Sequence, residues 1–155
     1  FGRVAYAVAG VRRAASTPGA RATIEVDGVR LERAVLMAVA GNSRLFGMVA
    51  QVTARARVDD GLLDVCVLST DHADGAAHRL GLAWAALRGH LPGLAERAHP
   101  GVDYLRARRV RIDAPVPLDA QADGDWIGQT PLVSEVDPAS LWVLVPPAPN
   151  PLWTS

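Results

Sequence analysis

The alternation of apolar and polar residues predicts two antiparallel strand pairs in the first half of the chain. Residues 20–42 alternate on both sides of Asp27-Gly28, a dipeptide that favours the tight turn of a hairpin. Residues 49–56 and 62–69 are predicted to be two further strands around the Asp59-Asp60-Gly61 turn. The second of them has the near-continuous apolar character of a buried strand.

Two other segments have helical spacing. Apolar residues three and four apart predict a helix from the start of the chain to the Pro18-Gly19 stop, and a second from Asp71 to about Leu91. The strand pattern then resumes in four short runs broken by Pro, Gly and Asp, namely 104–115, 115–127, 130–138 and 140–147. These patterns predict a mainly β fold, an antiparallel β-sandwich with two helices in one domain.

Composition narrows the function classes. The 155 residues are half apolar and carry no formal net charge, and all 16 basic residues are Arg without a basic tail, so a nucleic-acid partner is not indicated. Cys66 is the only cysteine, which excludes an internal disulfide and predicts an inert core thiol in a reducing compartment. No apolar stretch approaches the roughly 18 residues of a membrane span, so any membrane contact is expected to be peripheral.

Familiar catalytic motifs are absent from the sequence. It contains no G-x-x-x-x-G-K-S/T loop, no G-x-G-x-x-G after a strand, no H-E-x-x-H and no G-x-S-x-G. The four histidines lie in or near the second predicted helix without the spacing of metal ligands. Motifs of this kind therefore do not identify the chemistry.

Acidic turns are the remaining candidates. The segment 57–64 is either a plain turn or a loop whose carboxylates and carbonyls hold a hard cation such as magnesium. The segment 121–126 is a second Asp-Gly turn with an additional carboxylate, whose plain interpretation is a hairpin with a solvated tip. The segment 41–51, with Gly41-Asn42 and Gly47, either lines a cleft or forms an ordinary turn.

In their order along the chain, these pieces resemble the carboxy-terminal domain of the diacylglycerol kinase-like lipid kinases, which include bacterial diacylglycerol kinases and sphingosine kinases. The resemblance covers nearly the whole chain and rests on an ordered set of motifs. These are G-x-x-A-Y at Gly2–Tyr6, Gly41-Asn42, A-x-x-D-D-G-L-L-D-V at Ala56–Val65, Asp123-Gly124-Asp125, Thr130-Pro131 and V-x-P-x-x-L-x-V-x-x-P at Val136–Pro146.

The resemblance implies a domain organisation. Such kinases join an amino-terminal α/β domain, which carries a G-G-D-G-T phosphate-binding loop, to a carboxy-terminal β-sandwich of the NAD kinase/diacylglycerol kinase-like fold. No G-G-D-G-T occurs here, and the chain opens in mid-helix without Met. We therefore expect residues 1–147 to be the carboxy-terminal domain and 148–155 a Pro-rich tail, with the amino-terminal nucleotide-binding domain absent from this chain.

The resemblance also implies site residues. Asp123 matches the base that accepts the proton of the lipid hydroxyl, Gly124 turns it into the cleft, and Asp125 stands where relatives usually have a Glu that contacts nucleotide or magnesium. Because Asp125 is one methylene shorter than Glu, its carboxylate reaches less far from the backbone. Asn42 and Gly47 match the substrate cleft, although the glycine run of many relatives is reduced here to Gly47.

For the acidic turn at 57–64, the resemblance implies a structural Mg²⁺. The matching ligands are the Asp60 carboxylate and the backbone carbonyls of Arg57 and Leu62, whereas Asp59 is expected to be a solvated flank. Such an ion would hold the wall of the cleft rather than take part in the chemistry. The expected cofactors are thus Mg²⁺ and ATP, the ATP bound mainly by the amino-terminal domain.

The function implied is that of the substrate-side domain of an ATP-dependent lipid kinase, which phosphorylates diacylglycerol or a similar lipid alcohol in phospholipid metabolism. We expect this chain alone to be inactive, and its partners to be the lipid, its own amino-terminal kinase domain and the cytoplasmic face of a membrane. The sequence does not decide whether the protein forms a homodimer. The alternative is a non-catalytic lipid-binding or regulatory β-sandwich that reuses the fold. A soluble NAD kinase-like enzyme fits the paired acidic motifs less well.

Overall fold

The computed structural model of the chain describes residues 18–44, 52–71 and 101–144. They form eight β-strands: β1 (Ala20–Val26), β2 (Val29–Gly41), β3 (Leu63–Ser69), β4 (Val102–Ala107), β5 (Arg109–Asp113), β6 (Asp119–Ala122), β7 (Asp125–Gln129) and β8 (Leu132–Glu135). Six make one antiparallel sheet in the order β4-β3-β2-β1-β5-β8, and β6 pairs with β7 as a separate hairpin. The first predicted helix, before Pro18, lies outside the described residues, as does the second apart from Asp71.

The β1–β2 hairpin confirms the prediction made at Asp27-Gly28. Asp27 and Gly28 have φ angles of 46° and 84°, and Val26 pairs with Val29 directly across the turn. Positive φ at both central residues matches the right-handed twist of the two strands. The Asp27 carboxylate also accepts hydrogen bonds of about 3 Å from the backbone N–H groups of Arg108 and Arg109. The turn is therefore tied to the link between β4 and β5.

The short link between β4 and β5 requires the sheet to be strongly curved. Only Arg108 separates β4 from β5, yet β4 pairs with β3 while β5 pairs with β1, and β2 lies between β3 and β1. One nearly continuous stretch can pair with both only if the sheet turns round on itself, which brings two layers face to face. Their apolar side chains form the main core of Ala22, Ile24, Val26, Val35, Val65, Val67, Ala107 and Val110. This confirms the predicted antiparallel β-sandwich architecture.

Strand β3 is buried on both faces, as its apolar run predicts. Val65 and Val67 belong to the main core, whereas Cys66 and Leu68 point to the other face and pack with Val52. Cys66 is 1% exposed, and burial raises the pKa of its thiol to about 12. The predicted core position of the cysteine is thus confirmed, and little thiolate exists at neutral pH.

The strand predicted over residues 49–56 is wrong for its described part, residues 52–56. These residues form a turn, closed by a 2.9 Å hydrogen bond from the Ala56 N–H to the Thr53 carbonyl. Val52, Thr53 and Ala56 are all buried, and spacings of one, three and four suit a compact turn better than a strand whose faces alternate. The partners of β3 are consequently β2 and β4.

The later runs are divided differently from the prediction. The run 104–115 contains most of β4 and all of β5. The run 115–127 contains β6 and the first part of β7, and the run 130–138 contains β8 as predicted. The strand predicted over 140–147 is wrong for residues 140–144, which are not paired and expose Leu141, Trp142 and Leu144. Apolar side chains favour a strand, but a strand also needs a partner for its backbone.

Candidate functional site

The β6–β7 hairpin carries the two predicted acidic site residues at its tip. Asp123 and Gly124 occupy the turn with φ angles of 52° and 100°, and Asp125 begins β7. At the base, the Leu118 N–H donates to the Thr130 hydroxyl at 3.0 Å, and the Thr130 N–H donates to the Leu118 carbonyl at 2.9 Å. These hydrogen bonds therefore join the two arms of the hairpin at its base, while its tip is exposed.

The carboxylates at this tip are available to a ligand. Asp123 and Asp125 are both exposed, and neither accepts a side-chain hydrogen bond within the described residues. Large apolar side chains lie next to them in sequence, Trp126 at 71% exposed and Ile127 at 49%. The hairpin thus presents two free negative charges beside an exposed aromatic ring, an arrangement suited to a ligand with both polar and apolar parts.

The second candidate is the acidic loop before β3. One oxygen of Asp60 accepts a 3.0 Å hydrogen bond from the Leu62 N–H, and the other contacts the guanidinium of Arg106. Gly61 has a φ of 67°, and a Cβ there would approach Pro138 to 3.4 Å. Asp59 is exposed and pairs with Arg57 at 3.2 Å, which agrees with its expected position as a solvated flank.

Beneath this loop lies a buried carboxylate that the sequence analysis did not single out. Asp64 is 0% exposed; its Oδ1 accepts a 2.7 Å hydrogen bond from the Tyr104 hydroxyl, which itself accepts one of 3.1 Å from the Arg55 N–H. Its Oδ2 has no hydrogen-bond partner within the described residues, and Arg106 Nε lies 3.5 Å away. The cluster of Asp60, Asp64, Tyr104 and Arg106 is called the acidic-loop cluster below.

The electrostatics of this cluster follow from burial. Desolvation raises the pKa of Asp64, and the hydrogen bond from Tyr104 and the charge of Arg106 oppose that rise. Desolvation also raises the pKa of the Tyr104 phenol, and the hydrogen bond to Asp64 raises it further. Sequence alone shows Tyr104 and Arg106 only as alternate residues of a strand. Their pairing with Asp64 depends on the β3–β4 register.

The structure brings one residue of the predicted substrate cleft close to this loop. Gly41 ends β2 and pairs with Asp64, so the exposed Asn42 that follows it lies at the end of the sheet where the acidic loop enters β3. A Cβ on Gly41 would lie 3.0 Å from the Thr53 hydroxyl, which accounts for glycine there. Gly47 lies outside the described residues. Within them, no hydrogen bond or ion pair joins this end of the sheet to Asp123.

The described sheet and hairpin lie within residues 1–145, which match the model of the YegS C-terminal NAD kinase beta sandwich-like domain. The chain belongs to this family. Membership confirms the resemblance noted from the ordered motifs, because the match extends from the opening segment to the closing one. No curated protein matches the chain.

Solved structures share the fold of this YegS C-terminal domain. A provisionally named diacylglycerol kinase from Bacillus anthracis superposes with a TM-score of 0.61 at 18% identity, over 83% of this chain and 41% of its own. A second structure, with the same provisional name and organism, gives 0.54 at 16%, over 81% and 39%. A diacylglycerol kinase from the same organism gives 0.54 at 15%, over 84% and 47%. The chain spans less than half the length of these proteins.

The acidic loop can be tested for the magnesium ion that the resemblance implies. Mg²⁺ requires near-octahedral oxygen ligands at roughly 2.0–2.1 Å. Both oxygens of Asp60 already have protein partners, the Leu62 N–H and the Arg106 guanidinium. A second cation on the Arg106 side of this carboxylate would be repelled by the positive charge already there. Of the predicted ligands Arg57, Asp60 and Leu62, the Asp60 carboxylate therefore does not fit a metal ion at its Oδ2 in this conformation, because Arg106 already occupies that side.

Proposed function

We propose that this chain is the substrate-side domain of an ATP-dependent lipid kinase, which transfers the γ-phosphate of ATP to a hydroxyl of diacylglycerol or a similar lipid alcohol. The observation that carries the proposal is the tip of the β6–β7 hairpin, where Asp123 presents a free, exposed carboxylate from a turn with positive φ. Membership of the YegS C-terminal domain family supports it, as does the likeness in fold to proteins named diacylglycerol kinases.

In this proposal Asp123 is the general base. As the lipid hydroxyl oxygen forms a bond to the γ-phosphorus, the bond from that phosphorus to the β–γ bridging oxygen breaks and ADP leaves with that electron pair, while the Asp123 carboxylate accepts the hydroxyl proton. Gly124 allows the tip to turn, and Asp125 contacts the nucleotide side of the cleft. Magnesium bound with ATP neutralises charge on the transferred phosphoryl group.

Nucleotide binding is assigned to a separate amino-terminal domain. The described part of this chain offers no phosphate-binding loop, and the chain spans less than half the length of the kinases it resembles in fold. We therefore propose that the amino-terminal kinase domain is its partner and that the chain alone has little transfer activity. Phosphoryl transfer depends on positioning both reactants in one cleft, which half of a cleft does not provide.

We further propose that the hairpin tip approaches the cytoplasmic face of the membrane, where a lipid headgroup can reach Asp123. Trp126 and Ile127 are exposed beside the carboxylates, and an exposed Trp is well suited to the interfacial region of a bilayer. No helix among the described residues is long and apolar enough to cross a membrane. Contact is thus proposed to be peripheral and made by side chains of the hairpin.

Trp126→Ala should weaken binding of the complete protein to phospholipid vesicles by about 10- to 150-fold, because a buried aromatic side chain contributes on the order of 1.5–3 kcal/mol. Co-sedimentation with vesicles that contain diacylglycerol measures this. Trp142→Ala is the matched control, since Trp142 is also exposed but lies off the hairpin. If vesicle binding fell equally in both variants, or only in Trp142→Ala, the membrane contact would not be made by the hairpin.

The proposed activity is tested by a labelled-ATP transfer assay on the complete protein that carries this chain, with a panel of diacylglycerols, sphingoid bases and other lipid alcohols. We expect label in one lipid class and none without lipid. A well-folded complete protein that binds lipid vesicles and labels no lipid would refute the kinase proposal. That result would favour a lipid-binding module instead.

A further inference from the structure

Arg106 occupies a central position in the acidic-loop cluster. It lies near the end of β4, directly opposite Asp64 of β3 in the strand register. Its Nη2 contacts Oδ2 of Asp60, and its Nε lies 3.5 Å from Oδ2 of Asp64. One guanidinium therefore bridges a carboxylate of the loop and a carboxylate of the sheet, which lie on two different elements.

The burial of the two carboxylates favours a positive charge between them. The Asp64 side chain is 0% exposed and that of Asp60 18%, whereas the Arg106 side chain is 43% exposed. Two poorly solvated carboxylates near one another repel, and an opposite charge between them relieves both the repulsion and the cost of desolvation. A cation at this point therefore lowers both costs, and the chain supplies one from β4.

The loop itself is also held by contacts with protein groups. Asp60 Oδ1 accepts the Leu62 N–H at 3.0 Å, and Gly61 adopts the left-handed φ of 67° that the turn needs. With Oδ2 on Arg106, both carboxylate oxygens have a protein partner. These contacts define the path of the chain into β3.

We propose that Arg106 takes the place of a divalent cation in this loop, so that the loop is ordered without bound metal. The guanidinium contributes one positive charge where a Mg²⁺ ion would contribute two, and it lies against Oδ2 of Asp60, one of the two carboxylate oxygens that could bind such an ion. The proposal departs from the structural magnesium that the family resemblance implies. It does not depend on the kinase activity proposed above.

A consequence is that removal of Arg106 should create a metal requirement. Without the guanidinium, Asp60 and Asp64 are left as two poorly solvated carboxylates that have lost the ion pairs Arg106 makes with both of them. Oxygen donors of this kind are the preferred ligands of Mg²⁺ and Ca²⁺. A divalent ion should then bind in the vacated position and restore part of the lost stability.

Thermal unfolding of the complete protein, in excess Mg²⁺ and in EDTA, tests this. The difference in unfolding midpoint between Mg²⁺ and EDTA should be the same for wild type and Asp60→Asn, because in wild type no ion binds to Asp60. Stabilisation by an ion bound elsewhere, for example with nucleotide, is the same in both proteins and drops out of this comparison. Arg106→Met should unfold roughly 4–10 °C lower than wild type in EDTA, as expected for lost bonds to buried charge in a protein of this size or larger. Mg²⁺ should recover part of that loss.

Arg109→Met is the matched control. Arg109 pairs with Glu135 at 3.3 Å on the neighbouring strand β8, but both side chains are well exposed. Its replacement should shift the midpoint little and leave the Mg²⁺ response unchanged, since surface ion pairs contribute little.

Two results would overturn the proposal. One is a Mg²⁺ stabilisation of wild type that Asp60→Asn abolishes, since the ion would then bind through Asp60 with Arg106 in place. The other is an Arg106→Met variant whose unfolding midpoint rises no more on addition of Mg²⁺ than the midpoint of wild type does. The comparison of wild type with Asp60→Asn tests the proposal even if Arg106→Met fails to fold.

Discussion

Asp123→Asn should reduce kcat for lipid phosphorylation by about 10²–10⁴-fold in the complete protein, the range typical of losing a general base. The amide has nearly the shape of the carboxylate but cannot accept the hydroxyl proton at neutral pH. Asp123 is exposed and accepts no side-chain hydrogen bond within the described residues, so the substitution leaves no buried donor unpaired. The measurement is labelled-ATP transfer to the preferred lipid at saturating concentrations.

Asp119→Asn provides the control for this experiment. Asp119 is an exposed carboxylate on β6 of the same hairpin, where it accepts a 3.0 Å hydrogen bond from Gln129. Its replacement changes the charge of the hairpin by the same amount and should leave kcat within about a factor of three, a difference of well under 1 kcal/mol. If both variants keep wild-type activity while vesicle binding is unchanged, Asp123 is not the base.

Tyr104→Phe should lower the free energy of unfolding by about 1–3 kcal/mol at neutral pH, the cost of leaving a buried polar group without its partner. The phenol oxygen donates to Asp64 at 2.7 Å and accepts from the Arg55 N–H at 3.1 Å, and Phe can do neither. Asp64 is fully buried, so solvent is not available to replace the lost donor. Urea denaturation measures the loss.

The loss should depend on pH. Because burial raises the pKa of Asp64 in the folded state, the favourable contribution of its protonated form is complete below the ordinary value of 3.8 and is lost as pH rises through the raised pKa. Removing the Tyr104 donor withdraws stabilisation from the ionised form and raises that pKa further. The destabilisation by Tyr104→Phe should therefore be larger at neutral pH than near pH 3.8.

A double-mutant cycle with Asp64→Asn isolates this interaction. In the Asp64→Asn background the side chain at this position carries no charge, so Tyr104→Phe should cost less and its pH dependence should disappear. An equal loss at both pH values when Asp64 is retained would show that the Tyr104 hydroxyl contributes only through its bond with the Arg55 N–H.

Local patterns in the sequence were sufficient for the hairpins. Asp27-Gly28 and Asp123-Gly124 both form the turns predicted for them, since an Asp-Gly dipeptide adopts positive φ at low cost. The continuous apolar run of β3 likewise indicated a strand buried on both faces, which the structure confirms. Such signals depend on a few neighbouring residues and are therefore legible without knowledge of the fold.

Other features depended on partners distant along the chain. Residues 52–56 were predicted as strand, but the burial of Val52 and Ala56 four positions apart fits the turn that they form. The apolar run 140–147 lacks a pairing strand in its described part, residues 140–144, so its side chains remain exposed. In both cases the apolar residues predicted a strand, but the sequence did not show whether another strand was available to pair with them.

The sequence by itself determined the class of the fold, the turns at Asp27-Gly28 and Asp123-Gly124, the exposed carboxylates at the hairpin tip and, through the order of its motifs, the family. Only the tertiary structure decided that Arg106 lies opposite Asp64 and reaches Asp60, and that Tyr104 binds the buried carboxylate. The physical reason is that turns follow from local backbone preferences, whereas contacts between strands follow from register, which depends on how the whole sheet buries its apolar face.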